Sequence, residues 1–548
     1  MVKKIKISII ALFTIMVSSC ELDLLDNPNA VTPNNIDVNF LLSNIQVAFS
    51  GHFNNLSDPG MRLTRMLNQG AAIYENAVSP GGFDGTWNTA YANILTDVKT
   101  IIPIAEKGEL FVHAGIARTI RAYVLASLAD TFGDVPNSEA LDAANFTPKA
   151  DGAASVYTSA IADLDKAIEN FSAKSKAGAS TDLIYGGSAD SWIRIANTIK
   201  LKMLLNRRLI DKAGSTTAIN ALITGDKLVS TAGQNFVWRF GSNLSNPDTR
   251  HPRYQGQYTP TGGGDYHSNS YMGALYNDKT APDPRIRYYF YRPVNVNSKD
   301  VNQIRCITNQ KPLHYKESDV FCYPTQVGYW GRDHLSNEGI PPDNLLRTAW
   351  GLYPAGGLYD NNAARGVSLG AGAGGAGIHP IMMRSFVDFM LAESAITLET
   401  RGNPKTLLKS AIEKSMADVR ALALGTTEAG KIATFETDQK IDWSKSVEAY
   451  VTEVLANYDK ATTEAGRLNI IGTEYWLALH GNGVEAYNLY RRTGTPNNQQ
   501  PALEANPGGF ARSYFYPINY VVRNANAKQK ASVTAPVFWD NNPATLTK

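Results

Sequence analysis

Val156–Phe171 reads VYTSAIADLDKAIENF. Within it Tyr157, Ile161, Leu164, Ile168 and Phe171 follow one another at intervals of 4, 3, 4 and 3. An α-helix, with about 3.6 residues per turn, gathers that spacing onto one face. Asp163, Asp165, Lys166 and Glu169 fall on the other faces. The segment therefore predicts an amphipathic helix that buries a single apolar stripe.

Working outward, the pattern stays helical from Asn39 to Ile223, with similar runs over 88–105, 110–130 and 190–212. Short connectors between such runs fold neighbours back as antiparallel pairs. After Ala232 the character changes. Residues 232–377 are rich in Gly, Pro and Asn and hold 13 of the 26 tyrosines. Helical spacing returns over Pro380–Arg401, Pro404–Ala423, Ser444–Asn457 and Thr463–Leu479, with a short helix over Val484–Arg491 and a loop-rich end from Gly494. The expectation is a mainly α fold with TPR-like helix pairs. Two scaffold blocks, about 36–230 and 378–493, frame an irregular region of about 232–377. No fixed-period consensus accompanies the pairs. Loops of such length are functional or form a subdomain of their own.

The chain has 548 residues and 43% apolar residues, enough for a large core. A formal charge of +2 gives no general attraction to nucleic acid. The first 20 residues, MVKKIKISIIALFTIMVSSC, place Lys3, Lys4 and Lys6 before an apolar run from Ile7 to Val17. That run is too short to span a bilayer. With Ser18 and Ser19 before Cys20 it reads as a signal peptide over 1–19, and its end resembles a bacterial lipobox. Cleavage before Cys20 would let the thiol carry a diacylglycerol, each buried methylene adding about 0.8 kcal/mol of membrane affinity. Ordinary secretion with Cys20 incidental is the other reading. Removing 1–19 leaves 49 basic and 50 acidic residues. Glu21, Asp23 and Asp26 then open the mature chain and resemble a surface-export signal. Outside the cytoplasm Cys306 and Cys322 are candidates for a disulfide, with two separate buried thiols as the alternative.

Several catalytic signatures fail. Gly370, Gly372 and Gly375 spell G-x-G-x-x-G, but a polar loop precedes them and no βαβ context follows. The eight histidines lack zinc-type spacing. Fifty acids make some glycosidase-like carboxylate pair inevitable, so acid content decides nothing. The stretch GYWGRDHLSNEGIPPDNLLRTAWGLYPAGGLYD, 328–360, sets Arg332, Asp333 and His334 beside Trp330. Its glycines and the Pro341–Pro342 pair describe a tightly turned loop. Arg332, Asp333 and His334 are expected to shape that loop by hydrogen-bonding its backbone. Asp333, Glu338 and Asp343 could offer oxygens to a structural calcium ion, although their spacing fits no calcium loop. Tyr74, Phe83, Tyr266, Tyr271, Tyr329 and Trp330 are the candidates for stacking on a sugar ring or a peptide, with core packing as the competing role for each. Trp87 and Tyr91, four apart at a helix start, are expected in the core.

Taken together these stretches resemble the SusD/RagB-like outer-membrane lipoproteins, in particular the branch with the Gly-Arg-Asp-His loop. CELDLLDNPNAVTP (20–33) looks like the family's start, and ARTIRAYVLASLADTFGDVPNSEAL (117–141) its helix and Gly-Asp-Val-Pro turn. FTPKAD followed by VYTSAIADLDKAI, the 328–360 loop, HPIMMRSFVDFMLAESA, EYWLALHGNGVEAYNLYRRTG and RSYFYPINYVV continue the likeness in order. One departure is the absence of an acid just after Pro517, where Ile518, Asn519 and Tyr520 stand. The resemblance implies a single domain over 20–548 built on four TPR-like helix pairs, anchored to the outer membrane through Cys20 and facing the cell exterior. It implies a SusC-like TonB-dependent transporter as partner, which the protein caps as a lid while it holds a glycan or peptide. It implies no enzymatic activity, and no nucleophile, metal or cofactor is expected. A membrane-anchored glycoside hydrolase and a structural subunit without its own ligand are the competing readings.

Overall fold

In the computed structural model, residues 37–260, 264–338, 342–343 and 346–546 are described. Cys20 and the signal segment lie outside them. The helices of eight residues or more are α1 (Val38–Leu63), α2 (Thr96–Lys107), α3 (Phe111–Phe132), α4 (Ala153–Ser172), α5 (Ala189–Asn206) and α6 (Lys212–Gly225), then α7 (Asn269–Tyr276) in the irregular region. They continue as α8 (Arg384–Thr397), α9 (Pro404–Leu424), α10 (Ala429–Asp438), α11 (Trp443–Lys460), α12 (Glu464–Ala478) and α13 (Gly483–Thr493). Their starts are set locally. The side chains of Asp37, Ser188, Asn403, Asp442, Thr463 and Asn482 each accept a backbone N–H from the first turn of the helix that follows. A helical run over Asp84–Asn88 passes through a π segment, Thr89–Leu95, into α2.

Consecutive helices pack as expected for a paired scaffold: α2 on α3, α3 on α4, α4 on α5, and α8 on α9. The α4 stripe is buried at Tyr157, Leu164 and Phe171, with Ile161 and Ile168 half-buried at its edge. Helix α1 packs on α2, α3 and α13, so the first and the last long helix meet. One apolar cluster runs from Val38 to Trp539 and includes both scaffold blocks and part of the irregular region.

The start of the second block differs from the periodicity. Ile378–Met382 is a strand, β4, antiparallel to β1 (Phe236–Arg239), and α8 begins only at Arg384. A short apolar run is ambiguous between helix and strand, and its partner lies some 140 residues away in sequence. A second two-stranded sheet pairs β2 (Phe290–Tyr291) with β3 (Ala349–Trp350). Helix α10 falls where no helix was expected.

A buried polar node ties the blocks together. Asp130 on α3 accepts from Lys202 Nζ on α5 at 3.1 Å, Asn488 Nδ2 on α13 at 2.8 Å and Trp539 Nε1 at 2.8 Å, and also from the Tyr157 hydroxyl on α4. Arg492 on α13 pairs with Glu393 on α8 at 2.9 Å and with Glu485 at 2.8 Å. Charges this deep persist only because each has partners. In the irregular region Cys306 and Cys322 form a disulfide. Among the described residues no helix is long and apolar enough to cross a membrane.

Candidate functional site

Asn54, Asp58 and Arg62 stand four residues apart and share one face of α1. The chain after α1 turns back, with Asn68 N–H donating to the Tyr266 carbonyl at 2.8 Å and Leu67 bridging to His267. This pairing sets Asp265 over the end of α1. Arg253 reaches the same point from the short helix Pro252–Gln257, which His251 caps.

The four charged groups close a ring. Arg62 donates to Asp58 at 2.9 Å and to Asp265 at 2.8 Å. Arg253 lies 2.7 Å from Asp58 and 3.0 Å from Asp265. The Trp350 indole N–H adds a bond to Asp265 at 3.0 Å. Burial pushes the Asp58 carboxyl up, but the Arg253 and Arg62 guanidiniums outweigh it and hold the group below its ordinary range. Asp265 is likewise held below its ordinary range, burial again being outweighed by Arg253 and Arg62. Both carboxylates are therefore ionised and matched charge for charge.

A cavity of about 430 Å³ opens beside the ring, lined by Asn54, Asn55, Asp58, Gly82, Thr86 and Arg253 among others. Asn55 is exposed, Asn54 half-buried, and the Asp58 side chain retains 33% exposure. Two carboxamides and the open edge of a carboxylate thus face solvent from a rigid helix. Such groups donate to and accept from hydroxyls, which suits reversible capture of a polyhydroxylated ligand. A glycosidase acid needs a carboxyl held protonated by a raised pKa. Here both acids are shifted the other way.

The aromatic candidates lie elsewhere. Tyr74, Phe83, Tyr271, Tyr329 and Trp330 are buried in the core and offer no surface to a ligand. Large rings pack well, and the irregular region supplies much of its own core with them. Tyr329 donates to Asp360 at 2.8 Å, Tyr271 to the Leu477 carbonyl at 3.1 Å, and Phe83 meets Phe132 edge-on at 5.2 Å. Tyr266 is half-buried, clamped between the guanidiniums of Arg332 and Arg347 at 3.8 and 4.1 Å. Trp87 and Tyr91 sit half-buried at the core's edge, where the Trp87 ring meets Tyr520 in a tilted contact at 4.6 Å.

Arg332 bonds the backbone of its own loop, whereas the side chains of Asp333 and His334 tie that loop to partners outside it. Asp333 accepts from Gln500 Nε2 at 2.8 Å, Asn269 Nδ2 at 3.1 Å and Cys322 N at 2.9 Å. Burial raises its carboxyl to about 6. His334 Nε2 meets the Tyr74 hydroxyl at 3.1 Å, and Arg332 Nη1 donates to the Glu338 carbonyl at 2.5 Å. Gly331 has no room for a side chain, since a Cβ there would sit 1.9 Å from the His267 carbonyl oxygen. Asp343 is paired with Arg347 at 2.8 Å. Asp333 and Asp343, weighed as calcium ligands, thus face protein donors.

The ring residues Asp58, Arg62, Arg253 and Asp265, with Asn54 and Asn55, were not among the sequence candidates. The four-residue step of Asn54, Asp58 and Arg62 was visible; the approach of Arg253 and Asp265 was not.

A family model described as starch-binding and associating with the outer membrane matches residues 30–321. A second, described as SusD and RagB outer membrane lipoprotein, matches residues 378–542. Among solved structures the chain is similar to a SusD/RagB family protein from Bacteroides thetaiotaomicron, with 20% identity, a TM-score of 0.65, and coverage of 93% of this chain and 100% of that one. It is similar to a chitin-binding protein at 19% identity, TM-score 0.61, covering 92% and 100%. It is also similar to a chitin-binding SusD homolog from Flavobacterium johnsoniae at 17% identity, TM-score 0.59, covering 91% and 99%. At such identities the likeness is one of fold. No curated protein matches the chain. The first family match alone takes in more than half of the sequence, and this chain belongs to the SusD-like family.

Proposed function

We propose that the protein is a non-catalytic, surface-exposed lipoprotein that captures oligosaccharide in the cavity beside Asp58. It hands its cargo to a SusC-like TonB-dependent transporter, over which it acts as a lid. Cys20 carries the lipid anchor. Membership of the SusD-like family supports this reading, as does the likeness in fold to two chitin-binding proteins. The observation that carries it is the pairing of open Asn54, Asn55 and Asp58 groups with a charge ring that leaves no acid poised to donate a proton. Capture without turnover requires only such groups.

The experiment is affinity purification from native outer membranes in mild detergent. It is expected to recover a larger β-barrel transporter with the protein. Recovery of the lone polypeptide contradicts the lid role.

A further inference from the structure

Within the irregular region, the segment Ala281–Tyr288 faces the corner between α10 and α11 across a cavity of about 580 Å³. It shares no lining residue with the cavity beside Asp58. Its wall is aromatic. Trp443, the first residue of α11, is half-buried and meets Tyr288 edge-on at 5.4 Å, and Tyr359 lies 5.1 Å from Tyr288. The Arg420 guanidinium sits 4.9 Å from the Trp443 ring centroid and donates to the Tyr288 hydroxyl at 3.1 Å, which locks both rings in place. Pro282, Ile286 and Ala449 add apolar surface. The volume suits a small ligand.

The charged groups around it divide into matched and open. Asp283 is closed off by Arg285 at 2.6 Å, and Glu436 pairs with Arg420. Asp442 caps α11, accepting from Lys445 N at 3.2 Å. Arg287 lies over Phe435 at 4.7 Å and donates to the Asp360 carbonyl and to Asn362. At the rim, the Lys445 side chain is 82% exposed and only 3.6 Å from Asp442. Lys440 is exposed and makes no ion pair among the described residues. An exposed Lys440 and a Lys445 held only loosely by Asp442, at 3.6 Å, therefore flank an aromatic wall.

We propose that this cleft is a second ligand site, taking sugar rings that carry a carboxylate. The apolar face of such a ring stacks on Trp443 while Lys440 and Lys445 meet its charge. Neutral sugars gain only the first of these contacts. Exposed ammonium groups act as point charges whose attraction is screened by salt, so the preference is strongest at low ionic strength.

The test is calorimetry on the purified mature chain with oligogalacturonate, oligomannuronate and a neutral malto-oligosaccharide of the same length. At least one uronate is expected to bind more tightly than the neutral sugar, with affinity falling as salt is raised. Trp443→Ala and the Lys440→Ser/Lys445→Ser pair should each weaken it by about tenfold, the loss of one or two such contacts. The surface lysine pair keeps the test sound if Trp443→Ala lowers the thermal midpoint. Absence of uronate binding overturns the second site, as does equal affinity for the neutral sugar. Uronate binding that survives the lysine pair and Trp443→Ala but is lost in Asn54→Ala/Asn55→Ala also overturns it, and assigns the acid to the cavity beside Asp58.

Discussion

Gly60 on α1 lies against Gly483 on α13: a Cβ on Gly60 would stand 2.1 Å from the Gly483 carbonyl oxygen. A Cβ on Gly483 would stand 2.0 Å from the Ser57 carbonyl oxygen. The first long helix and the last one therefore touch backbone to backbone, and Ser57 Oγ, accepting from Gly483 N at 2.8 Å, holds them there. Because Asn54, Asn55 and Asp58 ride on α1, this contact also fixes the candidate site to the scaffold.

Gly60→Ala should lower stability by about 1–3 kcal/mol, the range for forcing extra volume into a packed contact. Gly51→Ala is the control, since nothing lies within 4 Å of its added Cβ. On helix propensity it should stabilise by about 0.5–1 kcal/mol. Urea titration of both variants reads the difference. Equal midpoints would mean that α1 and α13 do not meet as described.

The disulfide predicts a second stability effect. Cys306→Ser with Cys322→Ser should cost about 3 kcal/mol in the chain-entropy view for a loop of this length. Mass analysis of the wild type after thiol blocking without reductant checks the bond directly. Two free thiols would contradict it.

Acid should destabilise the fold well before ordinary carboxylates titrate. Burial lowers the imidazole of His52 to about 4 and of His267 and His379 to about 3, and lowers His251, His334 and His480 as well. Each is neutral in the folded protein and takes a proton once unfolded. Their contribution is full above pH 6.5, the ordinary histidine value, and is lost progressively below it down to about 4 for His52 and about 3 for His267 and His379. The slope is about 1.4 kcal/mol per pH unit for each histidine. Asp333 works the other way: raised to about 6, its contribution is present below its ordinary 3.8 and lost as pH rises through 6. The histidines outnumber it, so unfolding free energy should fall steeply from pH 6.5 towards pH 4. A flat profile over that window would place these rings in solvent.

The helical scaffold was legible because its stripes are written at helical spacing, as in Tyr157–Phe171. The TPR-like pairing followed from the connectors. The boundary at Pro380 was not legible, since a five-residue apolar strand depends on Phe236–Arg239 far along the chain. The site was harder. Tyrosines and tryptophans in a loop-rich region look like ligand contacts, yet Tyr271, Tyr329 and Trp330 are the region's own core. A loop without helical stripes still has to bury apolar surface to hold a shape, and its rings do so. Asp58 and Arg62 were readable as a helical pair, but Arg253 and Asp265 join them only through tertiary pairing.

Lipid anchoring makes its own prediction. Cys20→Ala should move the protein from the membrane pellet to the soluble fraction, because the acyl chains supply the attachment. Retention in the pellet would contradict attachment through Cys20.

The central claim is that a glycan is held beside Asp58. Calorimetry with chito- and malto-oligosaccharides on the wild type and on Asn54→Ala/Asn55→Ala tests it most directly. At least one neutral oligosaccharide should bind the wild type, with no shortened products afterwards, and the double variant should lose about 1–3 kcal/mol of binding, roughly ten- to a hundredfold. Unchanged affinity in the double variant, or binding of peptides in place of any glycan, would contradict the account.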